Sequence, residues 1–201
     1  MAQLNAFKGD YNMIFCVDVD GTLNNLMDAV LEIFNKQTDS SYTTNDITTY
    51  NLGDCFSIEE AATMKSIFEN PDIWSKVKPL KGAAEVLQKL MNDGHQIYLV
   101  TDNCPNTYGE KVAWIRRFFP FIDSSKIVCM KDKWQFRCDL MIEDNLQTLL
   151  SRPYYHRILI DHPWNSAYEY RDFAYDIHRC KNWNDVLSAV NKIIEMESDV
   201  K

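Results

Sequence analysis

Two carboxylates stand one residue apart directly after an apolar run, in the order Ile14-Phe15-Cys16-Val17-Asp18-Val19-Asp20-Gly21-Thr22. The run is typical of a buried parallel strand, which is apolar on both faces. Because residues two apart in a strand point to the same side, Asp18 and Asp20 would share one small space. Two anions this close repel each other unless a cation lies between them or one of them binds a proton. A divalent metal ion beside a proton-transferring acid would satisfy both carboxylates. The plainer alternative is a strand end followed by an acidic turn.

Polar side chains that could take part in the same chemistry follow the other strand-like runs. They are Thr101 after residues 96–100, Lys131 and Lys133 after residues 126–130, and Glu143 with Asp144 after residues 139–142. Because the carboxyl ends of parallel strands meet at one edge of a sheet, we expect these groups to lie together. Acids that hold a metal ion, a hydroxyl and an ammonium group suit phosphoryl transfer. A carboxylate can attack phosphorus while a neighbouring acid protonates the leaving alcohol.

Strand-like runs alternate with amphipathic stretches along most of the chain. Strands are predicted over 13–19, 96–100, 126–130, 139–142 and 157–160, and helices over 23–37, 81–93, 108–119, 146–150 and 184–196. Thr22 is the expected N-cap of the first helix. The alternation predicts an α/β fold, a Rossmann-like three-layer parallel sheet with helices on both faces.

The alternation of strands and helices is interrupted over residues 38–80, which predicts an inserted lobe. Ser57 and Glu60 form a predicted capping box for one helix, and Asn70-Pro71 ends it. We interpret residues 23–80 as a small helical cap after the first strand, and residues 1–22 and 81–201 as the core. Such a cap could cover the metal site and exclude water. A peripheral insertion without a gating role is the alternative.

The composition excludes several classes of partner. The formal net charge is −8 and no lysine–arginine run is present, which argues against duplex nucleic acid. Six cysteines without a C-x-x-C pair favour structural thiols in a reducing compartment. Residues 1–11 are predicted to be a polar arm without the apolar core of a signal peptide, and no apolar run approaches a membrane span. We expect a cytoplasmic protein without a membrane partner, and a homodimer is left open.

Four motifs in order resemble those of the haloacid dehalogenase superfamily of phosphatases. They are D-V-D-G-T at 18–22 with its preceding strand, L-V-T-D at 99–102, a lysine, and L-M-I-E-D at 140–144. The resemblance implies that Asp18 is the nucleophile and Asp20 the general acid and base. It implies Thr101 and Lys133 as phosphate ligands. It also implies a Mg²⁺ ion held by Asp18, the main-chain carbonyl of Asp20 and Asp144, with Glu143 acting through the waters of the metal.

Residues 74–164 are more closely similar to the 5'(3')-deoxyribonucleotidase family. The segments that carry this resemblance are P-L-K-G-A at 79–83, E-K-V-A-W at 110–114, residues 127–133 and residues 139–144. The spacing from Lys133 to Glu143 is ten residues, as in that family, and this resemblance favours Lys133 over Lys131 as the motif lysine. The resemblance implies a nucleoside monophosphate as substrate, hydrolysed to nucleoside and phosphate.

The chain departs from the family pattern at four positions. Asp102 replaces a serine, Lys131 an arginine, Asn145 a basic residue, and Leu26 an aromatic residue that lines the base pocket. Asp102 and Lys131 remain predicted substrate contacts, and Leu26 and Trp74 are predicted to line the base pocket, with Tyr50 or Phe56 as further candidates. Two other functions stay open: a phosphatase of a sugar phosphate or other small phosphomonoester, and a non-catalytic binding module.

Overall fold

A parallel β-sheet forms the centre of the molecule, as the alternating pattern predicts. The computed structural model describes residues 12–102, 105–151, 156–167 and 177–199. Within these ranges the strands are β1 (Ile14–Val17), β2 (Gln96–Thr101), β3 (Ile127–Cys129), β4 (Leu140–Glu143), β5 (His156–Ile160) and β6 (Ile177–Cys180). Their order in the sheet is β3-β2-β1-β4-β5-β6, and every neighbouring pair is parallel. The α/β parallel-sheet prediction is confirmed, and the predicted arm at 1–11 lies outside the described residues.

The α-helices cover both faces of the sheet and add a lobe. Their bounds are α1 (Leu26–Thr38), α2 (Ile58–Phe68), α3 (Ala83–Asn92), α4 (Tyr108–Phe118), α5 (Leu146–Leu150) and α6 (Trp183–Asp199). Alternate residues of β1 enter different apolar clusters: Phe15 and Val17 join one, and Cys16 joins the other. A sheet that is covered on both faces holds its strand ends rigidly, which is what the polar residues at those ends require.

The segment between β1 and β2 leaves and re-enters the core at one place. The Asn25 N–H donates to the Lys78 carbonyl at 3.1 Å, and the Leu80 N–H donates to the Leu23 carbonyl at 2.8 Å. Between these points lie α1, α2 and the 3₁₀ turn Pro71–Ser75. Helix α2 begins with the predicted capping box, in which Ser57 and Glu60 bond each other's backbone N–H groups. The division of the chain into a cap of residues 23–80 and a core stays a prediction.

The prediction that Thr22 caps the first helix is wrong. Helix α1 begins at Leu26 with Asn25 as its N-cap, because residues 20–25 form a turn of their own. The buried Asn24 side chain organises that turn: its Oδ1 accepts the N–H groups of Gly21 (3.2 Å) and Leu26 (3.1 Å). The chain therefore stays non-helical for a few residues beyond Asp20, which keeps this carboxylate at the sheet edge.

Strand β6 was not predicted. Its sequence I-H-R-C buries Ile177 and Cys180, while His178 and Arg179 are half-buried. A four-residue edge strand with two polar residues carries too weak a hydrophobic pattern to be separated from a loop. The described cysteines (16, 55, 129, 138 and 180) are free thiols, as expected. In the described part of the chain, no helix combines the length and apolar character that crossing a bilayer would need.

A buried histidine makes the stability of this fold depend on pH. The His95 Nδ1 accepts the Met13 N–H at 3.2 Å, and its ring meets Phe15 edge-on with centroids 5.1 Å apart. Burial lowers the pKa of His95, so the folded state keeps it neutral where the unfolded state begins to bind a proton. The contribution of His95 to the unfolding free energy should therefore fall as the pH drops below about 6.5.

We expect His95→Gln, which keeps an acceptor but cannot titrate, to lack this contribution, so the unfolding free energy of the wild type should fall relative to that of the variant as the pH is lowered. Urea unfolding of both proteins between about pH 7.5 and pH 5 measures the difference. Both proteins keep the opposing contributions of His162, whose pKa burial lowers, and of Asp18, whose pKa burial raises to about 7. Parallel pH profiles for the two proteins would contradict the assignment to His95.

Candidate active site

The strand ends bring three buried carboxylates together. Asp18 follows β1, Glu143 ends the neighbouring β4, and Asp144 comes next. Each offers one oxygen within 4.8 Å of the others, and all three residues are buried. The Asp18 N–H donates to the Ile142 carbonyl at 3.0 Å, which holds the two strand ends in register. The gathering predicted from the sequence is therefore found for these residues.

One buried ammonium group lies among the three carboxylates. The Lys133 Nζ donates to Asp18 Oδ1 at 2.5 Å and to Glu143 Oε2 at 2.9 Å. Burial and the Glu143 charge raise the pKa of Asp18 to about 7, although Lys133 opposes this. Burial and the charges of Glu143 and Asp18 raise the pKa of Asp144 well above its usual range. One cation does not balance three buried anions, so the cluster as it stands favours a further positive charge.

The oxygens of Asp144 show where such a charge fits. Asp144 Oδ2 accepts the Trp164 indole N–H at 3.0 Å. Asp144 Oδ1 is buried and has no hydrogen-bond partner among the described residues. An unsatisfied buried carboxylate oxygen costs free energy unless it binds a cation or a proton. Oxygen ligands of this kind suit a hard divalent ion, so the residues present fit a metal site.

Asp20 occupies a different position from the other acids. Its side chain is 31% exposed, and the Lys111 Nζ donates to its Oδ2 at 2.6 Å. The Asn24 Nδ2 donates to its Oδ1 at 3.2 Å. Both carboxylate oxygens are thus held, and the group faces the open side of the site. This is the placement that an acid serving a leaving group needs.

Lys111 is a site residue that the sequence did not predict, although it lies in the segment 110–114 that carries the family resemblance. Besides Asp20, its Nζ contacts Thr101 Oγ1 at 3.0 Å and the Asp102 carbonyl at 2.9 Å. It lies on the buried face of α4 with Trp114 and Ile115. Its position follows the spacing of the apolar residues of this helix, which predicts that it is buried. A buried lysine needs an acidic partner, and this was the signal that could have identified Lys111 as a site residue.

The other predicted phosphate contacts differ in their placement. Thr101 is buried, and its Oγ1 donates to the Asp102 carbonyl at 3.0 Å. Lys133 is buried, whereas Lys131 and Asp102 are exposed. The geometry therefore brings Thr101 and Lys133 into the site and places Asp102 in the wall of a cleft beside Asp20. The roles of Asp102 and Lys131 in substrate binding stay predictions.

Two adjoining clefts open beside Asp20, and Leu26 and Phe68 line both. One, of about 270 Å³, is also lined by Trp74, Asp102, Thr107 and Lys111. The other, of about 240 Å³, extends past Tyr50 and Trp164 to Asp144. Clefts with apolar walls and a few polar groups are typical of sites for small organic molecules. Leu26 and Trp74 are thus cleft residues, whereas Phe56 is buried against Tyr42.

The loop after β5 supplies contacts that the sequence did not reveal. The His162 Nε2 donates to the Gly21 carbonyl at 2.6 Å, and Asn165 Nδ2 donates to the Asp144 carbonyl at 2.8 Å. Arg179 of β6 in turn donates to Oδ1 and the carbonyl of Asn165, at 2.9 and 2.8 Å. These are structural contacts, and they hold the backbone of the acidic site in place.

The chain has the fold of proteins described as haloacid dehalogenase-like hydrolases. A haloacid dehalogenase-like hydrolase from Streptococcus pneumoniae superposes with a TM-score of 0.61 at 14% identity, over 89% of this chain and 98% of that one. A protein from Bacillus subtilis described as a putative haloacid dehalogenase hydrolase, bound to magnesium, superposes with a TM-score of 0.53 at 13% identity, over 90% of this chain and 99% of that one. These likenesses establish the fold.

Sequence comparison identifies the family. Residues 12–194 match the family described as 5' nucleotidase, deoxy (pyrimidine), cytosolic type C. A putative 5'(3')-deoxyribonucleotidase of Staphylococcus epidermidis is 24% identical over 179 residues, which are 88% of this chain and 95% of that protein. The 5'(3')-deoxyribonucleotidase of Bacillus subtilis is 26% identical over 157 residues, which are 76% of this chain and 87% of that protein. The chain belongs to this 5'-nucleotidase family and is a phosphoric monoester hydrolase.

Proposed function

We propose that the chain is a magnesium-dependent 5'(3')-deoxyribonucleotidase that hydrolyses deoxyribonucleoside monophosphates through an aspartyl-phosphate on Asp18. The observation that carries this proposal is the cluster of three buried carboxylates around Lys133, in which Asp144 Oδ1 has no partner within the part of the chain that the structure describes. Family membership and the names of the relatives support the substrate class.

The residues present divide the reaction between two aspartates. Asp18 attacks phosphorus, and the bond from phosphorus to the sugar oxygen breaks while Asp20 gives that oxygen a proton. Asp20 then takes a proton from water, which attacks the acyl phosphate and releases phosphate and free Asp18. Thr101 and Lys133 donate to phosphate oxygens, and Lys111 with Asn24 keeps Asp20 in place.

The proposed metal ligands are Asp18, Asp144 and the main-chain carbonyl of Asp20, with Glu143 acting through water. A bound Mg²⁺ would neutralise charge on the phosphate oxygens and orient the phosphoryl group. Mg²⁺ keeps several waters and prefers one or two carboxylates, which agrees with a site that has few direct ligands.

We place the nucleoside in the clefts beside Asp20. Leu26 and Trp74 form apolar walls there, and bases stack on or pack against such side chains. Leu26 offers a smaller surface than an aromatic ring, so base stacking depends more on Trp74.

A panel of monophosphates tests the substrate class. We expect phosphate release from 5'- and 3'-deoxyribonucleotides such as dUMP and dTMP with Mg²⁺, and a loss of activity after chelation that added Mg²⁺ restores. Turnover of sugar phosphates equal to that of the nucleotides would contradict the nucleotidase assignment and favour a general small-molecule phosphatase. Activity that persists undiminished in chelator would contradict the metal requirement.

A further inference from the structure

We propose that Trp164 is a positioning residue that limits Asp144 to a single metal-binding oxygen and thereby makes the site selective for Mg²⁺ over Ca²⁺. The proposal rests on the metal site of the proposed function. It concerns a residue outside the motif positions, in the loop that follows β5.

The two oxygens of Asp144 have opposite environments. Oδ2 accepts the Trp164 Nε1–H at 3.0 Å, whereas Oδ1 is buried without a partner among the described residues. Gly21 also closes the Oδ2 side, because a Cβ atom built on Gly21 would lie 2.5 Å from Oδ2 and 3.5 Å from the Trp164 ring. A cation can therefore approach Oδ1 but meets the Gly21 backbone and the indole at Oδ2.

The indole is held in place from several sides, so its N–H group cannot turn away from Asp144. The His162 ring stacks on it with centroids 4.1 Å apart and planes 9° from parallel, and that histidine is fixed to the Gly21 carbonyl. The next residue, Asn165, donates to the carbonyls of Asp144 and Ile160 at 2.8 Å each. Trp164 itself is only 6% exposed. The loop and the Asp144 main chain thus form one connected hydrogen-bonded unit.

A carboxylate restricted to one oxygen discriminates between divalent ions. Ca²⁺ takes six to eight oxygen ligands in flexible geometry and readily accepts both oxygens of a carboxylate. Mg²⁺ requires a compact octahedron and is satisfied by single oxygens and water. Hydrogen bonds that orient metal ligands commonly change metal affinity by about 10- to 100-fold when they are removed. The Trp164 contact should therefore favour Mg²⁺ specifically.

The test replaces Trp164 by phenylalanine, which keeps an aromatic ring for the His162 stack but removes the N–H donor. Mg²⁺ and Ca²⁺ chlorides are titrated separately into the metal-free full chain by calorimetry, with no substrate present. We expect the ratio of the Ca²⁺ to the Mg²⁺ dissociation constant to fall by at least about tenfold in the variant. A ratio that stays within about threefold of the wild-type value, whether both affinities fall together or neither changes, would overturn the proposal.

Trp114→Phe is the matched control. Its indole N–H is also buried and donates to a carbonyl, that of Val77, at 3.0 Å. It therefore loses a comparable hydrogen bond away from the carboxylates, and its metal preference should equal that of the wild type. The same shift in this control would overturn the proposal, because general loosening would then explain the effect.

The wild-type protein alone also tests the inference if Trp164→Phe does not fold. Wild type must bind Mg²⁺ more tightly than Ca²⁺, and the reverse order would overturn the proposal. Because these titrations contain no substrate, they separate the inference from the proposed function. Failure on the monophosphate panel with a shifted ion ratio would reject the nucleotidase assignment only, whereas full nucleotidase activity with an unshifted ratio would reject the role of Trp164 only.

Discussion

Replacing Asp18 by asparagine is expected to reduce the kcat for phosphate release from a deoxyribonucleoside monophosphate by at least about 10⁴-fold, the scale of loss when a covalent nucleophile is removed. The amide has nearly the same shape but cannot form an acyl phosphate. We expect the folded state to survive the change. Burial and the Glu143 charge raise the pKa of Asp18, so the neutral amide relieves an unfavourable buried charge. Its Oδ1 can still accept the Lys133 hydrogen bond.

Asp139→Asn is the control for this experiment. Asp139 lies at the opposite end of the same pair of strands, where its Oδ2 accepts the Ile14 N–H at 2.7 Å. The same atomic change there should leave kcat within a few-fold of wild type, since the amide oxygen can replace the acceptor. Phosphate release by a folded, Mg²⁺-supplied Asp18→Asn protein at the wild-type rate would remove Asp18 from the mechanism.

The second large effect is expected at Gly21, where alanine should impair both folding and catalysis. Gly21 has a φ of +74°, and its Cα lies against Asp144, so that a Cβ would be 2.5 Å from Oδ2 and 3.0 Å from Cγ. The left-handed backbone alone costs about 1–2 kcal/mol for an L-residue with a side chain. The overlap must displace the Asp144 carboxylate, and a misplacement of about 1 Å in a reacting group can cost about 10²-fold in rate. Urea unfolding measures the loss of stability, and steady-state kinetics over a range of Mg²⁺ concentrations measure the loss of catalytic rate.

Gly109→Ala provides the comparison. Gly109 lies in α4, and a Cβ there would have no atom of the described residues within 4 Å. This substitution should be neutral or stabilise the helix by roughly 0.5–1 kcal/mol, with unchanged kinetics. If Gly21→Ala behaved like Gly109→Ala in both assays, the close approach of Gly21 to Asp144 would not constrain the site.

The features that follow from local patterns were accessible from the sequence. The run 14–17 before Asp18 and the run 140–142 before Glu143 are apolar on both faces, so their strand character and their parallel arrangement could be predicted. Once the strands are parallel, the gathering of Asp18, Glu143 and Asp144 follows from topology. The capping box of α2 was equally local, because Ser57 and Glu60 are three residues apart.

The features that were missed depend on distant pairs of residues. Lys111 meets an acid 91 residues away, Trp164 meets one 20 residues away, and His162 meets a carbonyl 141 residues away. The apolar spacing of α4 can indicate that Lys111 is buried, but no local pattern identifies the partner in any of these pairs, since each pair depends on the order of strands in the sheet. Thr22 illustrates the opposite error: it is a favoured capping residue, but Asn24 and the turn it closes decided where α1 begins.

The most direct measurement of the central claim is chemical trapping of the phosphorylated enzyme. Wild-type protein is mixed with Mg²⁺ and excess dUMP, quenched within the first turnover and reduced with borohydride, which converts an aspartyl phosphate to homoserine. Peptide mass spectrometry then locates the converted residue. The account predicts homoserine at position 18, only when substrate is present. Conversion at another residue, or rapid phosphate release with position 18 unmodified throughout the turnover, would contradict it.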